Sequence, residues 1–342
     1  MKSGQFRVAI VGASTLKGKE LADVLNDRSF PGDVRLLDDD ESLGQLEAVG
    51  DEVTFVQSVG RDQFDGVDFA FFASEGKFTK RNWMLAKDAG SAIIDLSYAL
   101  EDAPGARVRS PWIERELNQS VAPELQPAPV IAAHPAAQVL ALLMVRAAKA
   151  GRIKTAAATV IEPASEHGRG GMDELHEQTV NLLSFRELPK KVFDEQVAFN
   201  VIARYGENSV PPIATVEQRI ARHFAKIAND EVRVPSLMLL QAPSFHGHTF
   251  SIYIEFEAAL SQGDVERALA GEHVTMARQM EDAPSNVNVA GQDGILLSVK
   301  RDAQNANGFW LWAAADNLRV IGMTAVECAE TMMAARPKGK VQ

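Results

Sequence analysis

Cysteine is almost absent. Cys328 is the only one in 342 residues, which excludes a disulfide framework and a cysteine-based metal cluster. Long hydrophobic runs are missing too: no uninterrupted apolar stretch reaches about 18 residues, so no transmembrane helix is expected. The opening residues, Met1 to Arg7, pass directly into a short buried strand and lack the apolar core of a secretory signal. Positive charge is outweighed, 35 Lys and Arg against 46 Asp and Glu, for a formal net charge of −11. That balance argues against a surface for nucleic acid or anionic membrane. Neither an internal repeat nor a low-complexity linker interrupts the chain. These absences predict a cytoplasmic globular protein without nucleic-acid or membrane partners.

What is present is ordinary for such a protein: 46% hydrophobic, 24% charged, and long enough for two domains with a large core. Arg7–Val11, Val34–Leu37, Val67–Phe72 and Ala92–Asp95 read as short, fully buried parallel strands. A glycine-containing turn from Gly12 to Gly18 leads into a helix over Lys19–Asn26, and Lys80–Ala89 has helical spacing. Strands alternating with helices predict a Rossmann-like, doubly wound α/β domain over residues 1–133. The pattern then changes. Thr155–Ile161, Ser236–Ala242, Phe250–Phe256 and Gly294–Val299 are longer, β-branched strands, which predict a mixed or antiparallel sheet. With helices over Val139–Ala150 and Val216–Ala228 they make a second α/β domain over 134–317. A last helix over residues 318–335 is expected to complete the first domain, with Cys328 as a core residue on it. The Pro-containing stretches Ala103–Pro111 and Ala122–Pro129 are expected as loops.

The segment Val130 to Gln138 closes a strand and opens the apolar helix. A cysteine at such a helix N-terminus would sit in the positive end of the helix dipole, which favours the thiolate. Position 137 is alanine, with neither a nucleophile nor a proton to offer. His248 is a candidate general base, weighed against a histidine satisfied within a strand. His246 shares its strand face only if no turn at Gly247 intervenes, so no metal pair is read from the spacing. The loop from Glu166 to Gly171 is glycine-rich and offers Arg169 to an anion, or is a loop with conformational needs of its own.

Taken together, these segments resemble the aspartate-β-semialdehyde dehydrogenase family. The resemblance is carried, in order, by Val8 to Ser14, Gly171-Met172-Asp173-Glu174-Leu175, Phe199-Asn200-Val201-Ile202 and Gly247-His248. It continues in Asn307-Gly308, Leu311-Trp312 and Ala315-Asp316-Asn317-Leu318-Arg319. It implies an NADP-binding Rossmann domain and a second domain for catalysis and dimerisation. It also implies a reaction in which a cysteine thiolate attacks an aldehyde, hydride leaves to NADP, and phosphate cleaves the thioester. The family signature Asn-Pro-Asn-Cys-Ser/Thr is replaced by His134-Pro135-Ala136-Ala137-Gln138. By the same alignment Glu162 stands for the active-site glutamine, Gln241 for the substrate-carboxylate arginine and Glu101 for a phosphate-binding arginine. Arg222 and Ala225 stand for a Glu-x-x-Lys pair. Only the histidine, His248, is kept.

Losing a covalent nucleophile alone costs on the order of 10⁴–10⁶ in rate. Glutamine in place of arginine gives up a bidentate grip on a carboxylate. The cofactor turn is altered as well, as Gly12-Ala13-Ser14-Thr15-Leu16-Lys17-Gly18, with Thr15 where the family has its middle glycine. Asp38, Asp39, Asp40 and Glu41 follow the second strand, where carboxylates suit a ribose hydroxyl and disfavour a 2′-phosphate, unless they are simply a solvated acidic turn. Ser74-Glu75-Gly76 stands for a further glycine-rich turn. The candidate cofactor residues are thus Gly12, Ser14, Thr15, Gly18, Asp38 and Ser74, with NAD or NADP left open and no metal read. The remnant cleft positions are Ala137, Glu162, Gln241 and His248. The expected protein is a homodimeric family member without the parent activity, in a binding, regulatory or assembly role, with a heterodimer alongside an active paralogue as a further assembly. The alternative is an oxidoreductase or acid–base enzyme using Glu162 and His248 without a thiol.

Overall fold

The computed structural model describes residues 6–49, 52–120, 128–277 and 283–335. The chain divides into two compact units, Met1–Ala133 with Ile321–Gln342, and His134–Val320. In chain order the first unit contains β1 (Phe6–Val11), α1 (Leu16–Asp27), β2 (Gly32–Asp38), β3 (Leu46–Val49), β4 (Glu52–Phe55) and β5 (Gln57–Ser58). There follow β6 (Phe69–Phe72), α2 (Gly76–Asp88), β7 (Ala92–Asp95), β8 (Arg107–Arg109), α3 (Pro111–Glu116) and β9 (Val130–Ala132). The second unit contains α4 (Pro135–Ala150), β10 (Ile153–Glu162), α5 (Gly168–Leu183), α6 (Ile213–Ala228), β11 (Ser236–Gln241) and β12 (His248–Phe256). It continues with α7 (Gln262–Leu269), β13 (Val274–Met276), β14 (Ile295–Arg301) and β15 (Gly308–Ala315), and α8 (Asn317–Ala335) leads out of it.

Seven parallel strands form the first sheet in the order β5-β2-β1-β6-β7-β9-β8, the doubly wound arrangement that alternating strands and helices impose. Its central strands are apolar on both faces, as Val8–Val11 and Phe69–Phe72 show by being wholly buried. β3 and β4 pair separately as a hairpin. Cys328 lies on the last helix with no exposure, and burial pushes its thiol up to about 12, which leaves it inert.

The second sheet is mixed, in the order β11-β10-β12-β15-β14-β13. β10 runs parallel to β11 and antiparallel to β12, and β12 is antiparallel to β15. One face alternates inward with Val160, Leu239, Phe250, Ile252, Ile254, Phe309 and Leu311, all buried. The opposite face carries Met238, Trp310 and Trp312, which are 53%, 43% and 38% exposed. α4 is buried from Pro135 to Ala147, mostly by apolar side chains, and it packs on α6 and α7.

Two expectations need correction. The glycines after Glu166 do not form an anion-binding loop: Gly168 begins α5, and Arg169 pairs outward with Asp173 on the same helix, 79% exposed. Gly171 is required by packing, because a Cβ there would lie 2.6 Å from the Ala164 carbonyl. α5 is held from outside by its own polar side chains. Glu174 accepts the amides of Lys191, Val192 and Phe193, and Gln178 accepts those of Val197 and Ala198. The stretch Ala103–Pro111, expected as a loop, contains β8 and the first residue of α3. Residues 121–127 of the other expected loop lie outside the described residues.

Phe250 is the fully buried midpoint where β12 faces Ala313 of β15. Phe250→Ala is expected to cost about 3–5 kcal/mol. Urea denaturation followed by the fluorescence of Trp310 and Trp312 on the adjoining strand checks it.

Candidate functional site

The polar ends of three apolar strands meet in the second unit. β10 ends on Glu162 and β11 on Gln241, paired in register, while β12 begins at His248. The antiparallel register that pairs Ile161 with Thr249 carries on to set Glu162 beside His248. All three side chains share the inward face and are at most 1% exposed. Around them stand His134, the N-cap of α4, the short 3₁₀ turn Ala164–His167, and Asn317 at the start of α8. His134 caps its helix in an unusual way, its ring Nδ1 accepting the Ala136 amide at 3.2 Å. Ala137 follows in the first turn with no exposure.

Glu162 does not face His248. The imidazole against it is that of His167, whose Nε2 lies 3.0 Å from Glu162 Oε1. The proton positions around it follow from one residue. Gln241 Nε2 donates to the carbonyls of Glu162 and Ala242 at 3.1 and 2.8 Å, so Oε1 is the acceptor and takes the Tyr205 hydroxyl at 2.8 Å. The phenolic oxygen is then free to accept from His167 Nε2–H at 2.9 Å. That N–H therefore points at Tyr205, and the contact with Glu162 lacks hydrogen-bond alignment. Neither Glu162 oxygen has a hydrogen-bond partner among the described residues. Burial first, then the charges of Glu162 and Glu166, push the Tyr205 phenol far above its usual value.

The carboxylate that faces His248 is Glu166. Its Oε1 lies 3.8 Å from His248 Nε2, and its Oε2 lies 3.7 Å from His134 Nε2. The two imidazole rings are 5.9 Å apart. Asn317 donates to Glu166 Oε1 at 3.0 Å and accepts the Gly247 amide at 3.1 Å, which fixes its amide orientation. The pairing of Glu162 with His248 for acid–base work is thus replaced by two separate carboxylate–imidazole groups. Among the described residues no group of three His, Cys, Asp or Glu could hold a metal ion.

Other expected positions fall elsewhere. Arg222 and Ala225 lie on the exposed side of α6, and the residue that α6 sends inward is His223, whose Nδ1 accepts the His134 amide at 2.9 Å. Its signal was readable: position 223 falls on the buried stripe of Ile213, Val216, Ile220, Phe224 and Ile227. His246 is separated from His248 by a turn, with Gly247 at φ +81°, and lines a surface groove with Phe245 and Val287. Glu101 lies in a turn of the first unit. Tyr205 and Asn317 escaped the reading as site residues, because their partners are distant in sequence.

The nucleotide turn of the first unit is closed on itself. Gly12 takes φ +88°, and a Cβ there would lie 2.4 Å from the Ser74 amide, so only glycine fits. Thr15 is the N-cap of α1: its Oγ1 accepts the Gly18 amide at 3.0 Å and donates to the Gly12 carbonyl at 2.8 Å. Ser14 gives both its amide and its hydroxyl to Asp38 Oδ2, at 2.8 and 2.5 Å. Asp38 is 5% exposed, and its other oxygen takes the Asp39 amide. It is a latch on the turn, not a carboxylate presented to a ribose. Ser74 is tied by its Oγ to Thr79 at 3.0 Å. A pyrophosphate would have to displace Asp38 from Ser14 or rest on the first helical amides alone. NADP would further bring its 2′-phosphate against Asp39, Asp40 and Glu41. The residues present do not fit that cofactor.

Residues 7–128 match the family model described as semialdehyde dehydrogenase, NAD binding domain, and residues 144–320 match semialdehyde dehydrogenase, dimerisation domain. An aspartate-semialdehyde dehydrogenase of Rickettsia bellii is 27% identical over 339 residues, covering 96% of this chain and 98% of its own. A USG-1 protein homolog of Azotobacter vinelandii is 30% identical over 332 residues, covering 95% and 97%. The solved structure of a probable aspartate-semialdehyde dehydrogenase from Pseudomonas aeruginosa matches with a TM-score of 0.84 at 27% identity, covering 96% of this chain and 98% of that one.

Tyr205 gives the cluster a measurable signature. Its folded phenol is raised above the unfolded value of 10.0, so its contribution is complete below pH 10 and is lost as pH rises beyond it, when only the unfolded chain ionises. Tyr205→Phe is expected to cost about 1–3 kcal/mol at neutral pH. The gap to the unmodified protein should shrink by about 1.4 kcal/mol per pH unit above 10. Urea denaturation of both proteins at pH 8, 10 and 11 measures it, and a gap constant across that range would contradict the assignment.

Proposed function

The chain belongs to the semialdehyde dehydrogenase family, and we propose that within it this protein has given up thioester-forming oxidation and serves as a homodimeric binding or assembly protein. The observation that carries the reading is Ala137. It occupies the first turn of α4, where a helix N-terminus would favour a thiolate, and it supplies no atom that can attack a carbonyl. The surroundings support the same reading. Gln241 spends its amide on Glu162, Ala242 and Tyr205, and so offers no charged grip on a substrate carboxylate. The only thiol is buried on the last helix. The nucleotide turn keeps its donors for Asp38 and Thr15.

The assay is aspartate semialdehyde with phosphate and NADP, then NAD, at high protein concentration, with Ala137→Cys alongside. Both proteins are expected to be silent, because the thiol alone restores neither the carboxylate grip nor the cofactor turn. Turnover by the unmodified protein would sink the reading and point to acid–base chemistry without a thiol.

The homodimer rests on the outer face of the mixed sheet. Met238 on β11 and Trp310 and Trp312 on β15 are exposed there, with β10 and β12 between them. These residues lie within the stretch that matches the dimerisation-domain model. Light scattering on a sizing column should give a dimer for the unmodified chain and a monomer for the Trp310→Glu, Trp312→Glu double variant. A mixed dimer formed in preference on co-expression with an active relative would favour assembly with a paralogue instead.

A further inference from the structure

Glu166 has no place in the thioester reaction, and the loss of that reaction does not explain it. It is a carboxylate with 6% side-chain exposure, set among imidazoles of 2% and 1%. Taking it out of water is costly unless partners meet it. Its partners are arranged as a receptor would arrange them. One oxygen faces His134 Nε2 and the other faces His248 Nε2, while Asn317 donates to the His248-facing oxygen. Each partner is aimed by something else. The Ala136 amide holds the His134 Nδ1 lone pair, so the ring proton lies on Nε2, toward the carboxylate. The Gly247 amide holds Asn317 Oδ1, so its NH₂ faces Glu166. His248 Nε2 is buried and has no hydrogen-bond partner among the described residues.

We propose that His134, His248 and Asn317 form a binding site for a small monocarboxylate, and that in this chain Glu166 fills the site from within. The gaps of 3.7 and 3.8 Å are too long for hydrogen bonds. Glu166 belongs to a short 3₁₀ turn, Ala164–His167, whose neighbours are committed elsewhere. The Ala164 and Ser165 amides bind the Ser244 and Phe245 carbonyls, and His167 is held by Tyr205. The tether stops the carboxylate short of both rings. An untethered carboxylate of the same size has no such restraint and can close to hydrogen-bond distance. The site is independent of the missing thiol, so turnover in the aspartate-semialdehyde assay would leave this proposal standing.

Glu166→Ala deletes a fragment the size of acetate, and sodium acetate is the probe. Thermal melting of the full-length protein is compared in acetate and in chloride at equal ionic strength. Glu166→Ala is expected to melt below the unmodified protein and to regain several degrees, saturably, in tens of millimolar acetate. The unmodified protein and Glu166→Gln, whose sites stay filled, should respond to acetate no more than to chloride. Adding His248→Ala to Glu166→Ala should abolish the gain. If Glu166→Ala does not fold by itself, the readout is refolding yield, and a yield restored by acetate but not chloride supports the site. An identical acetate response in variant and unmodified protein, or none in the variant by either readout, would overturn the proposal.

Discussion

A carboxylate taken out of water must be met by donors or by opposite charge, and much of this molecule is arranged around that demand. Glu174 and Asp38 are satisfied by backbone amides, the first anchoring the 191–193 segment on α5 and the second closing the nucleotide turn. Asp95 takes the amides of Ser97 and Leu100, yet burial still raises it. Glu327 is raised by burial too, against Arg115, Arg28 and Trp112. Glu162 and Glu166 are the two met mainly by imidazoles. The two Glu162 oxygens have no hydrogen-bond partner among the described residues, which sets that cluster apart from the others.

Much of the fold was legible because it rests on apolar runs. The wholly buried strands of the first unit leave no other reading for Val8–Val11 or Phe69–Phe72, and the inward alternation of β12 from Phe250 to Phe256 is a half-exposed sheet written out. Element ends were less legible, since caps are specific contacts. α4 starts at Pro135, four residues before the expected Val139, because His134 serves as a cap although histidine is not a usual one. α5 was hidden by glycines at 168, 170 and 171, each unfavourable in a helix by about 1 kcal/mol. What overrides them is tertiary: the close approach of Ala164 to Gly171, and the segments docked on Glu174 and Gln178.

The candidate site was half legible for the same reason. Glu162, Gln241 and His248 end or begin strands, and register alone brings them together. What each side chain does there depends on residues from segments without regular spacing. Tyr205 donates to the Gln241 amide oxygen across 36 residues of sequence, and no periodicity announces it. Glu166 and His167, adjacent in one tight turn, point to different clusters, and only the turn's geometry separates them.

Each unit turns an internal carboxylate toward donors of the kind that bind an external anion. In the first, Asp38 takes the Ser14 amide and hydroxyl. In the second, Glu166 takes the ground between His134 and His248. A buried donor that has lost its ligand carries a cost as well, though a smaller one than an unpaired carboxylate. A fold that stops binding an anion can therefore lose stability unless something replaces it, and a side chain a few ångströms away is the nearest source. The internal carboxylate faces the donors without reaching hydrogen-bond distance at either ring, and it occupies the place a ligand would take. On this account the retained histidine, His248, is not evidence of retained catalysis. Its Nε2 faces Glu166, whose other oxygen faces His134 and whose carboxylate Asn317 holds in place.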